Sequence, residues 1–257
     1  MTGPDWPARW QTLVQSLARV QAPRGESQLL DWLARPDRPR VVAFVNAHAL
    51  NAAAVDLRFF ETLISADLLL RDGIGVAWLM ALLNQPAGLN LNGTDLIPQI
   101  IRRSGGTSFA LFGTCQHWLA RAAQVVVRDL APGSPCLTAH GFLPTEAYLQ
   151  LARAHTPALI VLGMGMPRQE EVALALRAAL SRPTLIVCGG AILDFWAGRV
   201  ARAPMALRRC GLEWAWRLAC EPRRLFRRYV VGNPVFMGRA LTLAFRSLYQ
   251  LPARGRP

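Results

Sequence analysis

Ala158-Leu159-Ile160-Val161-Leu162-Gly163-Met164-Gly165-Met166-Pro167-Arg168-Gln169-Glu170 is the stretch whose reading decides the fold. Ala158–Gly163 is a short apolar run of strand length, and two glycines follow it at a spacing that permits a sharp turn. Pro167 suits a first helical turn, and Arg168–Leu180 carries helical periodicity. Strand, glycine turn and helix in succession are half of a βαβ unit. The turn lacks the third glycine of a dinucleotide fingerprint and the Gly-Lys-Ser/Thr of a P-loop.

The same pattern repeats outward in both directions. Strands are expected at Val41–Asn46, Leu68–Arg71, Ser108–Gly113, Cys136–Ala139, Ala158–Gly163 and Thr184–Gly189. Helices are expected at His48–Ser65, Gly75–Leu83, Asp95–Arg103, Gln116–Leu130, Thr145–Ala154 and Arg168–Leu180. Two amphipathic helices, Asp5–Val20 and Ser27–Ala34, precede a Pro36/Pro39 linker, and three helical segments follow Ala203. The expected fold is α/β: a Rossmann-like, largely parallel sheet flanked by helices, with a basic helical C-terminal appendage. The expected divisions are 1–40 (N-terminal helices and linker), 41–200 (α/β catalytic domain) and 201–257 (membrane-binding appendage).

Composition agrees with a folded core: 52% of the 257 residues are hydrophobic and 18% charged. The net charge is +13, and every basic residue is an arginine. Thirteen of these arginines follow Gly198, opposed only by Glu213 and Glu221, so the tail should meet a polyanion. After Pro222, a helix would gather Arg223, Arg224, Arg227 and Arg228 in an arc of about 140°, at roughly 100° per residue, opposite Leu225, Phe226 and Tyr229. That arrangement suits an anionic membrane surface. The order Glu213, Arg217, Glu221 also suggests an ion-pair line on one helix face. Nucleic acid is the competing polyanion, but the tail has no helix-turn-helix or aromatic stacking pattern, and no nucleic-acid partner is expected.

Met1–Arg9 does not read as a leader, and the most apolar segment, Val230–Tyr249, is interrupted by Pro234, Arg239 and Arg246. A peripheral protein at the cytoplasmic face of the bacterial inner membrane is expected. The cysteines (Cys115, Cys136, Cys188, Cys210, Cys220) form no C-x-x-C pair, so reduced thiols are expected. No Asp-x-Asp occurs and the four histidines have no ligand spacing, so neither metal nor cofactor is expected.

Ligands of parallel sheets bind at the carboxyl ends of strands. The polar groups there are Asn46 and His48, Asp72-Gly73, Gly113-Thr114, Gly163–Glu170 and Gly189–Asp194. Amides, carboxylates and glycines suit a hydroxyl-rich, phosphate-bearing ligand. Taken alone, Asp72-Gly73 reads as a turn or helix cap. In Asn90–Asp95, Thr94 or Asp95 is placed to cap the next helix and to present amides to an anion.

Together these pieces resemble the WecG/TagA/CpsF glycosyltransferase family, from about Val41 to Gly238. The carrying motifs are Asn46-Ala47-His48, Ala66–Val76, Asn92–Leu96, Gly163–Glu170, Gly189–Arg199, Arg202-Ala203-Pro204, Gly211–Trp214, Glu221–Arg224 and Tyr229–Pro234. The resemblance implies an inverting, metal-independent transferase that moves a sugar from a UDP-sugar to a polyprenyl-pyrophosphate-linked acceptor. It makes Asp72 the general base, sets Asn46 near the donor sugar and sets Gln169 on a sugar hydroxyl. The donor-binding set is then Asn46, Asn90, Thr94, Asp95, Gly113, Gly163, Gln169, Glu170, Gly190 and Asp194. Arg199, Arg202, Arg209, Arg217, Arg223, Arg224, Arg227 and Arg228 are assigned to pyrophosphate or membrane. Phe44 stands where many members have threonine, and Asn90 where many have arginine. The runs Phe44–Asn51 and Leu89–Asp95 look more like the xanthan-type exopolysaccharide branch, so β-1,4 transfer of glucose from UDP-glucose is expected. Transfer of N-acetylmannosamine or its uronic acid is the alternative. The oligomeric state, a homo-oligomer included, stays open.

Overall fold

The computed structural model describes residues 3–249. Arg254 and Arg256 of the expected basic tail lie outside these residues. In chain order the elements are α1 (Trp6–Gln15), β1 (Leu17–Ala18), α2 (Pro23–Leu33), β2 (Arg40–Val45), α3 (Ala47–Val55), α4 (Leu57–Ile64), β3 (Leu68–Arg71) and α5 (Ile74–Leu82). They continue with α6 (Gly93–Arg103), β4 (Phe109–Gly113), α7 (Gln116–Asp129), β5 (Cys136–Ala139), α8 (Thr145–His155), β6 (Leu159–Gly163), α9 (Arg168–Ala179) and β7 (Leu185–Cys188). The C-terminal part holds α10 (Ile192–Trp196), α11 (Met205–Arg209), α12 (Glu213–Cys220), α13 (Pro222–Phe226), a π-helical turn (Arg227–Val231) and α14 (Gly232–Tyr249).

The seven strands form one sheet in the order β1-β3-β2-β7-β6-β4-β5, and every pairing is parallel. Residues 41–45, 109–113 and 159–163 are buried without alternation, as strands covered on both faces must be. One face packs on Trp10, Leu13, Leu50, Phe60, Val172 and Leu176; the other packs on Leu30, Ile97, Ile100, Leu119 and Val126. The N- and C-terminal segments join the first of these layers. Phe236 of α14 stacks on Trp10 of α1 at 5.4 Å, and Ala240 and Leu243 are buried beside it.

The structure differs from expectation where tertiary pairing or a cap overrides periodicity. The first helix stops at Gln15, because Leu17 and Ala18 pair with Leu69 and Leu70 as an edge strand. The helix expected over His48–Ser65 is two helices, broken at Asp56, whose carboxylate accepts from the Phe59 N–H at 3.1 Å. The helix expected from Asp95 starts at Gly93 with Asn92 as its cap, in place of Thr94 or Asp95; the Asn92 side chain accepts from the Asp95 N–H at 3.0 Å. The short helix α10 has no counterpart among the expected elements.

Candidate functional site

β4 and β6 lie side by side, yet the helices that follow them cover opposite faces of the sheet, α7 in one apolar layer and α9 in the other. Such a switch point opens a crevice beyond the strand ends. A cavity of about 890 Å³ lies there. At its base Gly113 has φ +153°, and a Cβ at this position would meet the Gly163 carbonyl oxygen at 2.4 Å. Only glycine lets the two strand ends approach this closely. Thr114 then turns its hydroxyl to Asp194, donating at 2.7 Å, and Arg199 sits 3.3 Å from the same carboxylate oxygen.

The neighbouring strand pair β2 and β3 supplies a second carboxylate, that of Asp72. Asp72 extends the ladder by donating its N–H to Val45 at 2.9 Å, and Gly73 takes φ +87° to turn the chain away. Asn46 caps α3 through its carbonyl oxygen, which accepts from the Ala49 N–H at 3.0 Å, and its amide group donates to Asp72 at 3.2 Å. Both residues line the cavity. Behind them the buried Arg71 donates to the carbonyls of Ala87 (3.1 Å), Gly73 (3.0 Å) and Gly88 (3.0 Å). Burial lowers its pKa against the opposing pull of Asp72. Sequence reasoning missed Arg71, although an arginine closing an apolar strand just before Asp-Gly is itself a signal, since a buried guanidinium needs several acceptors.

Asn90 does not face the cavity. Its side-chain oxygen accepts from the Gly73 N–H at 3.0 Å and so braces the turn that presents Asp72. Asp95 also lies apart from the main cavity: it pairs with Arg202 and, at 3.8 Å, Arg208. It lines a smaller cavity of about 370 Å³ with Arg102 and Trp196, which Thr94 joins to the larger one. Asn90 and Asp95, both expected at the donor, are thus engaged by other residues of the protein and stand outside the lining of the main cavity.

Gly163, Gly165, Gly189 and Gly190 form the glycine wall. Gln169 reaches this wall, but its side-chain oxygen is occupied by the N–H groups of Gly165 (3.2 Å) and Gly190 (3.0 Å). Its amide group donates to Glu170 at 2.7 Å. Glu170 is buried behind the wall, and burial pushes its carboxyl up to about 7. Of these two expected donor contacts, Gln169 lines the cavity and Glu170 does not.

Arginines close the other side. Arg217, Arg224, Arg227 and Arg228 line the cavity together with Arg199. A helix does start at Pro222, as expected, but it is not regular: a π-helical turn follows Phe226, in which the Gly232 N–H reaches back to the Arg227 carbonyl. The extra residue per turn breaks the 100° arithmetic beyond Arg227. The expected Glu213–Arg217–Glu221 line is absent among the described residues; Glu221 accepts from Arg224 at 2.8 Å, and Arg217 lies over the Phe195 ring at 5.5 Å. The Nε atoms of Arg217 and Arg228 are buried without a partner. Burial lowers the Arg228 pKa, and His48 beside it is held down to about 4, first by burial and then by that guanidinium. Arg209 and Arg223 point outward, exposed. Asn51 ties this roof to α3, donating to the Gly232 carbonyl at 2.7 Å and accepting from Arg239 at 3.0 Å.

The cavity therefore sets two hydrogen-bonded carboxylates against converging cations: Asp194, already paired with Arg199, and Asp72, which has no ion pair among the described residues. That arrangement fits an anionic, phosphate-bearing ligand with a hydroxyl to deprotonate. Among the described residues no cluster of His, Cys, Asp and Glu could hold a metal ion, and no helix is long and apolar enough to cross a membrane.

The sequence profile of the Glycosyl transferase WecG/TagA/CpsF family matches residues 12–249. A Bacillus spizizenii protein named N-acetylglucosaminyldiphosphoundecaprenol N-acetyl-beta-D-mannosaminyltransferase is 29% identical over 176 residues, covering 65% of this chain and 66% of its own. A Staphylococcus aureus protein of the same name is 25% identical over 200 residues, covering 76% of this chain and 77% of its own. These names overturn the expected glucosyl transfer, and the geometry explains the misreading. Asn90, taken as a mark of donor choice, braces the Gly73 turn, while Phe44, taken likewise, packs against Gly93 and lines the cavity.

Proposed function

The chain belongs to the Glycosyl transferase WecG/TagA/CpsF family, and from that premise we propose that it transfers an N-acetyl-D-mannosaminyl group from a UDP-sugar to N-acetylglucosamine carried on a polyprenyl diphosphate. It is a glycosyltransferase, as its family and relatives are. The observation that carries the reading is the Asp72 carboxylate, held by Asn46 at the cavity edge and facing a roof of arginines.

Asp72 acts as general base, taking the proton of the acceptor hydroxyl as that oxygen attacks the anomeric carbon. The bond from that carbon to the diphosphate oxygen breaks, its electron pair leaves with UDP, and the configuration inverts. The leaving diphosphate gains negative charge in a site with few competing carboxylates. Arg217 and Arg228, which line the cavity and form no ion pair among the described residues, are placed to neutralise it. His48, held neutral near Arg228, offers a hydrogen bond without adding to the cationic charge.

The acceptor's lipid requires a membrane, and here the expectation changes in kind. The roof also carries exposed apolar side chains, Met205, Trp214, Phe226, Val230 and Val231, and Phe245 and Leu248 of α14 are exposed as well. These side chains, with Arg209 and Arg223 among the outward cations, lie on the lipid surface at the cytoplasmic side of the membrane. In Asp72→Asn, turnover should fall by about 10²–10⁴-fold while UDP affinity stays within about twofold. Turnover near the wild-type rate would remove Asp72 from the mechanism.

A further inference from the structure

Glu170 is a buried carboxyl that the reaction does not use. It is 2% exposed, and its Oε2 has no partner. Burial costs a carboxyl enough to need a return, and its one side-chain contact points to that return. Its Oε1 accepts from the amide group of Gln169 at 2.7 Å. Gln169, 1% exposed, uses its own oxygen for two backbone N–H groups on different turns, Gly165 at 3.2 Å and Gly190 at 3.0 Å.

The two turns follow adjacent strands. The Gly189 N–H to Leu162 bond, at 2.7 Å, ends the β6–β7 pairing, and beyond it the chains diverge. Met164, Met166 and Ile192 pack against the core on either side of the turns, but the two glycines themselves are not packed. Gly165 and Gly190 have φ +81° and +60°, and a Cβ added to either would meet nothing within 4 Å. Each glycine borders open cavity, where hydrogen bonds hold its N–H group in place.

We propose that Glu170 is a positioning residue that fixes the orientation of the Gln169 amide and thereby locks the Gly165 and Gly190 turns together as the donor-side wall of the cavity. An amide has one accepting end and one donating end. With the donating end on Glu170, the accepting end faces two N–H groups and all three bonds form. Flipped, the NH₂ group would oppose two N–H donors, and the oxygen would oppose a carboxyl oxygen. Without an acceptor at position 170, the Gln169 NH₂ group is buried and unpaired, a loss that drives the side chain out of the bridge. A carboxyl oxygen accepts whether the other oxygen is protonated or not, so the lock tolerates a group that titrates near 7.

The lock stands on these contacts alone; its consequence for UDP binding rests on the proposed donor. Amide hydrogen exchange over residues 163–170 and 189–194, with UDP affinity by calorimetry, tests both. In Glu170→Leu, exchange in both turns should rise, and UDP affinity should fall, each by roughly tenfold. Glu170→Gln keeps an accepting oxygen and should stay within about twofold of wild type in both readouts. Gln169→Glu should lose the lock, and the double variant Gln169→Glu/Glu170→Gln should regain it with the polarity reversed. Were Glu170→Leu to exchange at the wild-type rate, or Glu170→Gln to behave like Glu170→Leu, the lock would be overturned. If Glu170→Leu fails to fold, the comparison of Gln169→Glu with the double variant decides: no recovery in the double variant contradicts the proposal. Exchange that responds as expected in a protein that does not bind UDP would keep the lock and refute the donor.

Discussion

The floor of the cavity, at the ends of β4, β6 and β7, and its roof, from α12 to the π-helical turn, face the same space by opposite means. The floor is close backbone: glycines at φ +60° to +153°, strand ends in contact, and a glutamine bridging two turns. The roof is long side chains, with guanidiniums partly buried and two of their Nε atoms unpaired. A floor of this kind contributes shape and belongs to the stability of the fold. A roof of this kind contributes charge, and its cations cost stability until an anion meets them. The difference teaches that activity and stability should separate in the roof and move together in the floor.

The largest expected effect is in the roof. Arg228→Met keeps the length of the side chain and removes a buried charge beside His48. Turnover should fall by about 10²–10³-fold, while the thermal midpoint stays level or rises. Steady-state kinetics with a thermal melt check this, and a lowered melting temperature would make Arg228 part of the fold. In the floor, Gly190→Ala forces a side chain onto φ +60°. It should cost about 1–2 kcal/mol of stability and weaken UDP binding as well, as denaturant unfolding and calorimetry would record. Unchanged stability would show that the floor is not rigid. The smallest effect is on the roof's outer face. Phe226→Ser with Val231→Ser should cost roughly 1 kcal/mol of affinity for anionic vesicles and leave turnover on a soluble acceptor analogue unaltered. Undiminished vesicle flotation would move the lipid contact elsewhere.

The floor is largely legible in the sequence and the roof is not, for a physical reason. Strand, glycine and helix recur in the floor with local spacing, so the amino-acid pattern alone places Gly113, Gly163 and Asp72 at strand ends. What the pattern does not carry is direction. Whether Gln169, Glu170 and Asn90 face the ligand or brace the wall depends on partners distant in sequence, such as Gly190 and Gly73. In the roof, composition marks a cluster of cations, and periodicity does not say which of them line the cavity. A π-helical turn has no local signature, and it interrupts the regular helix on which the arc of arginines was drawn. The donor is misread for a related cause: Asn90 passes for a ligand contact while it braces a turn, and Phe44, which does line the cavity, does not by its residue type name the sugar.

The central claim is tested most directly by incubating the purified chain with a polyprenyl-diphosphoryl N-acetylglucosamine and either UDP-N-acetylmannosamine or UDP-glucose, then identifying the product by mass and anomeric configuration. The account predicts a β-linked N-acetylmannosaminyl product with the wild-type chain, and its loss in Asp72→Asn. A glucosylated product, or an N-acetylmannosaminyl product formed equally well by Asp72→Asn, would contradict it.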